Sequence, residues 1–207
     1  MEPPMTLGLS GSPTANDVAR WRKAERERLI AARLALSADE REEHARRIAR
    51  DLDNLVPRRS GTIVSLYWPF RGEPVLRRWM EAAYVAGLRP ALPVVLAKGQ
   101  PLQFREWAPH TRLERGIWNI PYPADGAVVT PSVVISPLVG FDSGCYRLGY
   151  GGGFFDRTLA GMASKPLVIG VGYPLQKIPT IYPQPHDIPM DWIVTGHLPP
   201  MQRGVAS

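Results

Sequence analysis

One segment constrains this chain more than any other: SVVIS at 132–136, a loop, and then RLGYGGGFFDRTLA at 147–160. A short buried-type strand, a glycine cluster and a helical segment follow one another in that order. Glycine loses more backbone entropy on folding than other residues and buries no side chain. Gly149, Gly151, Gly152 and Gly153 therefore mark either a sharp turn packed on a sheet or a place where something approaches the backbone closely. The same order of elements is a physical recipe for holding phosphate. Glycines bare the backbone N–H groups, and the first turn of the next helix adds unpaired donors at its positive end. The pattern is neither G-x-x-x-x-G-K-[ST] nor G-x-G-x-x-G, because Phe154 stands where a third glycine belongs. On spacing alone, a phosphate site and a structural turn stand level.

The flanks add chemistry. Asp142, Arg147, Asp156 and Arg157 place two carboxylates and two guanidiniums around the glycines. A guanidinium binds phosphate oxygens bidentately, and a carboxylate holds hydrated Mg²⁺ against phosphates. Asp156 also falls in the presumed first helical turn, where capping or dipole pairing is the plainer role.

Elsewhere strands and helices alternate. A helix is expected over 17–36, and Ser37-Ala-Asp-Glu40 has the form of a capping box for a second helix running to about 54. Strands are expected at Thr62–Tyr67, Ala91–Leu96, Leu102–Trp107, Ser132–Ser136, Leu167–Val171 and Trp192–Thr195, with helices at Pro74–Ala86 and Phe154–Met162. That alternation predicts an α/β domain with a mostly parallel central sheet flanked by helices, opened by two N-terminal helices. Residues 1–16 read as a disordered lead-in, 17–199 as one domain and 200–207 as a C-terminal tail.

Composition narrows the setting. With 207 residues, 44% hydrophobic and 21% charged, the chain has the make-up of an ordinary globular protein. No stretch approaches the roughly 18 apolar residues of a transmembrane span. The start, MEPPMTLGLSGSPTAND, lacks both a basic region and an apolar core, so no signal peptide is expected. The single cysteine, Cys145, excludes an internal disulfide and fits a reducing, cytoplasmic setting. A net charge of +6 asks for an anionic partner. The basic residues are interleaved with glutamates over 20–52 rather than gathered, the pattern of a solvated helix face. Nucleic acid is therefore disfavoured against an anionic small molecule.

PLVGFDSGCYRLGYGGGFFDRTLA, with IGVGYPLQ and PHDIPMDWIVT further on, resembles the 5-formyltetrahydrofolate cyclo-ligase family, the methenyltetrahydrofolate synthetases. LALSADER, LYWPFRGEP, PLQFREWAP and GIWNIPYP extend the resemblance over nearly the whole chain after residue 17. It implies an ATP- and Mg²⁺-dependent enzyme that closes 5-formyltetrahydrofolate to 5,10-methenyltetrahydrofolate and releases ADP and phosphate. The expected partners are ATP and a reduced folate, without nucleic acid or membrane, and the chain is expected to be a monomer or weak dimer. The alternative is a cyclo-ligase-like paralogue that binds ATP but acts on another substrate.

Carried over position by position, the resemblance makes Arg147 and Asp156 catalytic. It gives ATP to Arg22, Arg26, Arg147, Leu148, Gly149, Tyr150, Gly151, Gly152, Gly153, Phe154 and Phe155. Substrate falls to Leu66, Glu73, Tyr150, Gly151, Gly152, Gly153 and Phe154, with Glu73 on the pterin ring. Asp156 and Asp187 become the Mg²⁺ ligands. Three features depart from the family's common form. Arg22 stands where Lys is usual, Cys145 where Gly is usual, and SLYWPFRGE is more aromatic. Trp68, Phe70 and Trp118 offer flat surfaces that suit either ring stacking or core packing.

Overall fold

The computed structural model describes residues 13–204. Two helices open it, α1 (Ala15–Leu34) and α2 (Ala38–Leu55). Both start at reciprocal capping boxes: Thr14 with Asp17, and Ser37 with Glu40 as expected. Thr14 to Asn16, assigned to the lead-in, are the cap and first turn of α1, because Thr14 and Asp17 satisfy the first free N–H groups. The rest of that lead-in, residues 1–12, lies outside the described residues.

The remaining elements in chain order are β1 (Ile63–Ser65), α3 (Arg77–Val85), β2 (Arg89–Val94), β3 (Gln103–Glu106), β4 (Leu113–Arg115), β5 (Pro121–Pro123) and β6 (Val128–Val129). Then come β7 (Val133–Pro137), β8 (Gly140–Phe141), β9 (Arg147–Leu148), α4 (Phe154–Gly161), β10 (Leu167–Val171), β11 (Trp192–Val194) and β12 (Met201–Gln202). Eight strands form the main sheet in the order β12-β11-β10-β7-β1-β2-β3-β6. The ladders from β11 to β2 are parallel, and β12, β3 and β6 join antiparallel at the two sides. Met201 and Gln202, in the segment read as a tail, are thus an edge strand on Ile193 and Trp192.

The period-two pattern of the central strands sorts their side chains onto two faces. Val133, Ile135, Ile169, Val171 and Val194 face α2 and α3, where Ile48, Leu52, Trp79 and Met80 are buried. Val134, Val168 and Ile193 face the other way, onto Phe155 and Leu159 of α4. Helix α1 lies over a third, smaller cluster of Leu29, Val139, Leu148, Ile178 and Ile181.

The five parallel strands stand side by side as second, first, third, fourth and fifth in chain order. Chain direction across the sheet therefore reverses between β1 and β7. The crevice outside the carboxyl ends of strands at such a reversal is where open α/β sheets take ligands.

Candidate active site

A cavity of about 420 Å³ opens at that reversal. Tyr67, Trp68 and Phe70 reach it from the chain leaving β1, Val94 and Val95 from the end of β2, and Pro137 from the end of β7. The glycine stretch, Gly149 to Gly153, forms its rim. Gly151 and Gly153 have φ of +93° and +63°, a left-handed backbone that costs side-chain-bearing residues about 1–2 kcal/mol. Gly153 ends the loop as the N-cap of α4, with no side chain capping it. Donors in the first turn of α4 are therefore left for another acceptor.

Helix α1 supplies the cationic wall. Val18, Arg22, Arg26, Leu29 and Arg33 recur at helical spacing, so three arginines share the inward stripe with two aliphatics. Several other arginines of these helices pair outward with carboxylates one turn away, as Arg20 does with Asp17, Arg28 with Glu25, and Arg46 and Arg47 with Glu43. Such exposed pairs add little stability. Arg26 donates from Nε to the carbonyl of Gly149 at 2.7 Å. Arg22 donates to the carbonyls of Ile181 and Tyr182, both at 2.9 Å, and grips Asp187 at 2.5 Å.

Two carboxylates face these cations. Asp156, in the first turn of α4, accepts from Arg147 at 2.9 Å on one oxygen and from the Ile188 N–H at 3.1 Å on the other. Asp187 accepts from Arg22 and from the Gln184 N–H at 2.7 Å. Burial opposes ionisation of Asp187, but the Arg22 hydrogen bond, the Gln184 N–H and the Arg22 charge outweigh it and hold the acid below its usual range. Both aspartates line the cavity. A carboxylate has about four acceptor sites, so each keeps lone pairs free for a hard cation. Mg²⁺ needs only one or two carboxylates beside phosphate oxygens and water, and these two meet that need. No group of three or more His, Cys, Asp or Glu suited to a metal occurs among the described residues.

Glu73 sits at the opposite end, 3% exposed. Oε2 accepts from the Phe70 N–H at 2.9 Å and Oε1 from the Tyr150 hydroxyl at 3.0 Å. Burial raises its pKa to about 7, against the Arg33 charge and these two hydrogen bonds, which favour the anion. Trp118, at φ +57° in a turn between β4 and β5, stands 5.6 Å from the Phe154 ring across the cavity mouth.

Nearly all the residues singled out in the sequence line this one cavity: Arg22, Arg26, Glu73, Arg147 to Asp156, and Asp187. Leu66 does not. It is 1% exposed and packs in the sheet core with Leu92 and Met80, while its neighbour Tyr67 lines the cavity instead. Asp142 is a loop-former, its oxygens taken by the N–H groups of Gly144, Tyr146 and Ile181. Arg157 braces the glycine loop from outside, donating to the Gly152 carbonyl at 2.6 Å. Cys145, where a glycine is usual, has φ +61°, which accounts for the preference for glycine there. Sequence reading missed Arg33, which no single motif marks, although it shares a helix face with Arg22 and Arg26.

Comparison with known proteins points the same way. A 5-formyltetrahydrofolate cyclo-ligase from Escherichia coli is 31% identical over 171 residues, covering 79% of this chain and 93% of that one. One from Haemophilus influenzae is 28% identical over 150 residues, 69% of this chain and 80% of the relative. The solution structure of Aquifex aeolicus 5,10-methenyltetrahydrofolate synthetase superposes with a TM-score of 0.75 at 26% identity, covering 90% of this chain and 94% of the other. The family model of the 5-formyltetrahydrofolate cyclo-ligases matches residues 18–196, from α1 to the end of the parallel sheet. This chain belongs to the 5-formyltetrahydrofolate cyclo-ligase family.

Proposed function

We propose that the protein converts 5-formyltetrahydrofolate to 5,10-methenyltetrahydrofolate in the cytoplasm, driven by ATP. The observation that carries this reading is one cavity with two chemically opposite ends. Arg22, Arg26, Asp156 and Asp187 collect at one, and a buried carboxylate among aromatic rings at the other. The first suits a magnesium nucleotide, and the second suits a flat heterocycle with N–H groups to donate.

The formyl oxygen is a poor leaving group as it stands. Its attack on the γ-phosphorus displaces ADP and turns it into a phosphate ester. The anilinic nitrogen of the folate then adds to the activated carbon, loses its proton, and expels inorganic phosphate as the ring closes. Phosphoryl transfer asks the protein for positioning and charge neutralisation rather than a nucleophile. Arg22 and Arg26 bind nucleotide phosphates, and the N–H groups of Gly151 to Phe155 wrap the transferred group. Arg147 neutralises charge at the point of transfer and orients Asp156. Asp156 and Asp187 would hold Mg²⁺, which would supply positive charge to offset that of the phosphates. Glu73 accepts parallel hydrogen bonds from the pterin edge, Tyr150 closes beside it, and Phe154 bounds the ring space.

The test is the appearance of methenyltetrahydrofolate absorbance on mixing purified protein with 5-formyltetrahydrofolate, with and without Mg-ATP. ATP-dependent product is expected. A protein that binds ATP yet forms no product would overturn the folate assignment in favour of another substrate for the same site.

A further inference from the structure

Arg33 is the most completely buried cation among the described residues, at 0% exposure. Its Nε donates to the Arg71 carbonyl at 2.9 Å, one terminal nitrogen to the Leu138 carbonyl at 3.2 Å, and the other to the Tyr150 hydroxyl at 2.6 Å. None of these partners is a carboxylate. A buried guanidinium matched only by neutral acceptors is costly and is uncommon unless an anion lies close. The nearby anion here is Glu73, reached through one intervening atom, because the Tyr150 hydroxyl donates onward to it at 3.0 Å.

The structure assigns Arg33 as a positioning residue. Through Tyr150 it holds Glu73 as an oriented anion whose acceptor lone pairs face the ring end of the cavity. This deepens the proposed function, resting on Glu73 as the ring-binding group. Arg33 itself does not line the cavity, so its effect on substrate passes through the chain Arg33–Tyr150–Glu73.

The electrostatic surroundings give Arg33 that role. Facing Glu73 are Arg33 from α1, Tyr67 from the segment after β1, Tyr150 from the glycine loop and Tyr173 after β10, while Arg71 lines the same cavity over the Phe70 ring. Arg41 of α2 borders the same carboxylate in a groove on its far side. Tyr67 and Tyr173 are held neutral, since burial pushes the first well above its usual value and the second up to about 12. Among these groups Arg33 is the charge that acts most strongly on Glu73, and it favours the anion against burial.

The geometry of the chain matters as much as its charge. A phenol hydroxyl has one proton to give. With Arg33 donating into the Tyr150 oxygen, that proton goes onward to Glu73 at 3.0 Å, the nearer of its two acceptors, the other being the Phe70 carbonyl at 3.4 Å. The fork of Arg33 is fixed in turn by two backbone carbonyls from different loops, those after β1 and β7. Removing the guanidinium would free the Tyr150 rotor and raise the pKa of Glu73 together.

The decisive measurement is carbon-13 NMR titration of the Glu73 side-chain carboxyl in substrate-free protein, for wild type, Arg33→Met and Arg33→Lys. Because it needs no folate, it tests the inference even where the folate reading fails. The expected result is an apparent pKa raised by at least one unit in Arg33→Met, a tenfold smaller ratio of anion to acid at any fixed pH, with Arg33→Lys between the two. Steady-state kinetics on 5-formyltetrahydrofolate should show the same shift as a KM that rises at pH 7 and recovers towards pH 9, with kcat nearly unchanged. In a Glu73→Gln background, Arg33→Met should add nothing further to KM. If Arg33→Met does not fold, Tyr150→Phe breaks the chain at its middle without burying or removing a charge, and a smaller upward shift is expected, because the Arg33 charge acts on Glu73 more strongly than the Tyr150 hydrogen bond. An unchanged Glu73 titration in the folded variants, or a loss of kcat without a pH-dependent KM, would overturn the assignment.

Discussion

The two ends of the cavity use the same side chains to opposite effect. At the phosphate end arginine touches carboxylate directly, Arg22 on Asp187 and Arg147 on Asp156, and Asp187 is held below its ordinary range. At the ring end a tyrosine stands between Arg33 and Glu73, and burial lifts the acid to about 7. Contact and desolvation, rather than residue type, decide which term wins. At the first end Arg22 and Arg147 already have counter-charges and must exchange partners when a ligand arrives, while Arg26 has none. The second keeps an anion short of hydrogen bonds, which a ring bearing N–H groups would complete.

Breaking the direct contact should have the largest effect. Asp156→Ala would leave the Arg147 side chain, 3% exposed, without its counter-charge. Stability should fall by about 3 kcal/mol, since removing one partner strands the other. Urea unfolding reads this, and turnover should drop by roughly three orders of magnitude, the scale of a lost transition-state electrostatic contact. Asp156→Asn should fold better and still turn over poorly.

Glu73→Gln sharpens the contrast from the other end. The folded acid has its pKa raised above the ordinary 4.5, so the native state holds the proton more tightly than the unfolded chain. Stability from this group therefore falls as pH rises from about 4.5 to about 7 and is level above. The neutral amide should raise Tm at pH 8 by more than at pH 5, the difference amounting to about 2 kcal/mol. Activity should fall at the same time through KM for the folate. Equal stabilisation at both pH values would mean that Glu73 is not the strained anion described.

Arg26→Ala removes a cavity-lining cation that makes no ion pair among the described residues, donating only to the Gly149 carbonyl. KM for ATP should rise about tenfold, the worth of one charge-assisted hydrogen bond, with folate KM unmoved. An equal rise in both would show that the two ends are coupled through the glycine loop. The smallest effect is expected at Cys145→Gly. It relieves φ +61° but deletes a fully buried side chain, so the change in unfolding free energy should stay within about 1 kcal/mol.

These ends were unequally legible in the sequence. The capping box at Ser37 and the strand alternation are local signals and fell where expected, and the glycine run, local too, rims the cavity; Arg22 and Arg26 came only with the family resemblance. What escaped depended on tertiary placement. Arg33 looks like any member of an Arg–Glu helix until packing shows which arginines turn inward, and α1 hides its buried stripe because that stripe is itself largely arginine. Leu66 and Tyr67 are adjacent in an apolar run, and only the end of β1 at Ser65 decides which one reaches the cavity. The hairpin of β4 and β5 turns at Trp118 and Asn119, both at positive φ, while the glycine of that turn, Gly116, precedes them. The last short strand, β12, exists only because β11 offers it an edge.

The Arg22–Asp187 contact carries one more consequence. Arg22 belongs to the first helix and Asp187 to the loop before β11, so the clasp ties the beginning of the fold to its end across the cavity mouth. A nucleotide competing for Arg22 and a cation competing for Asp187 would each loosen the clasp and so ease the other's entry. The two would then bind with positive cooperativity beyond their own attraction, each having removed the other's competitor. The same latch would make the protein take both halves of a magnesium nucleotide together.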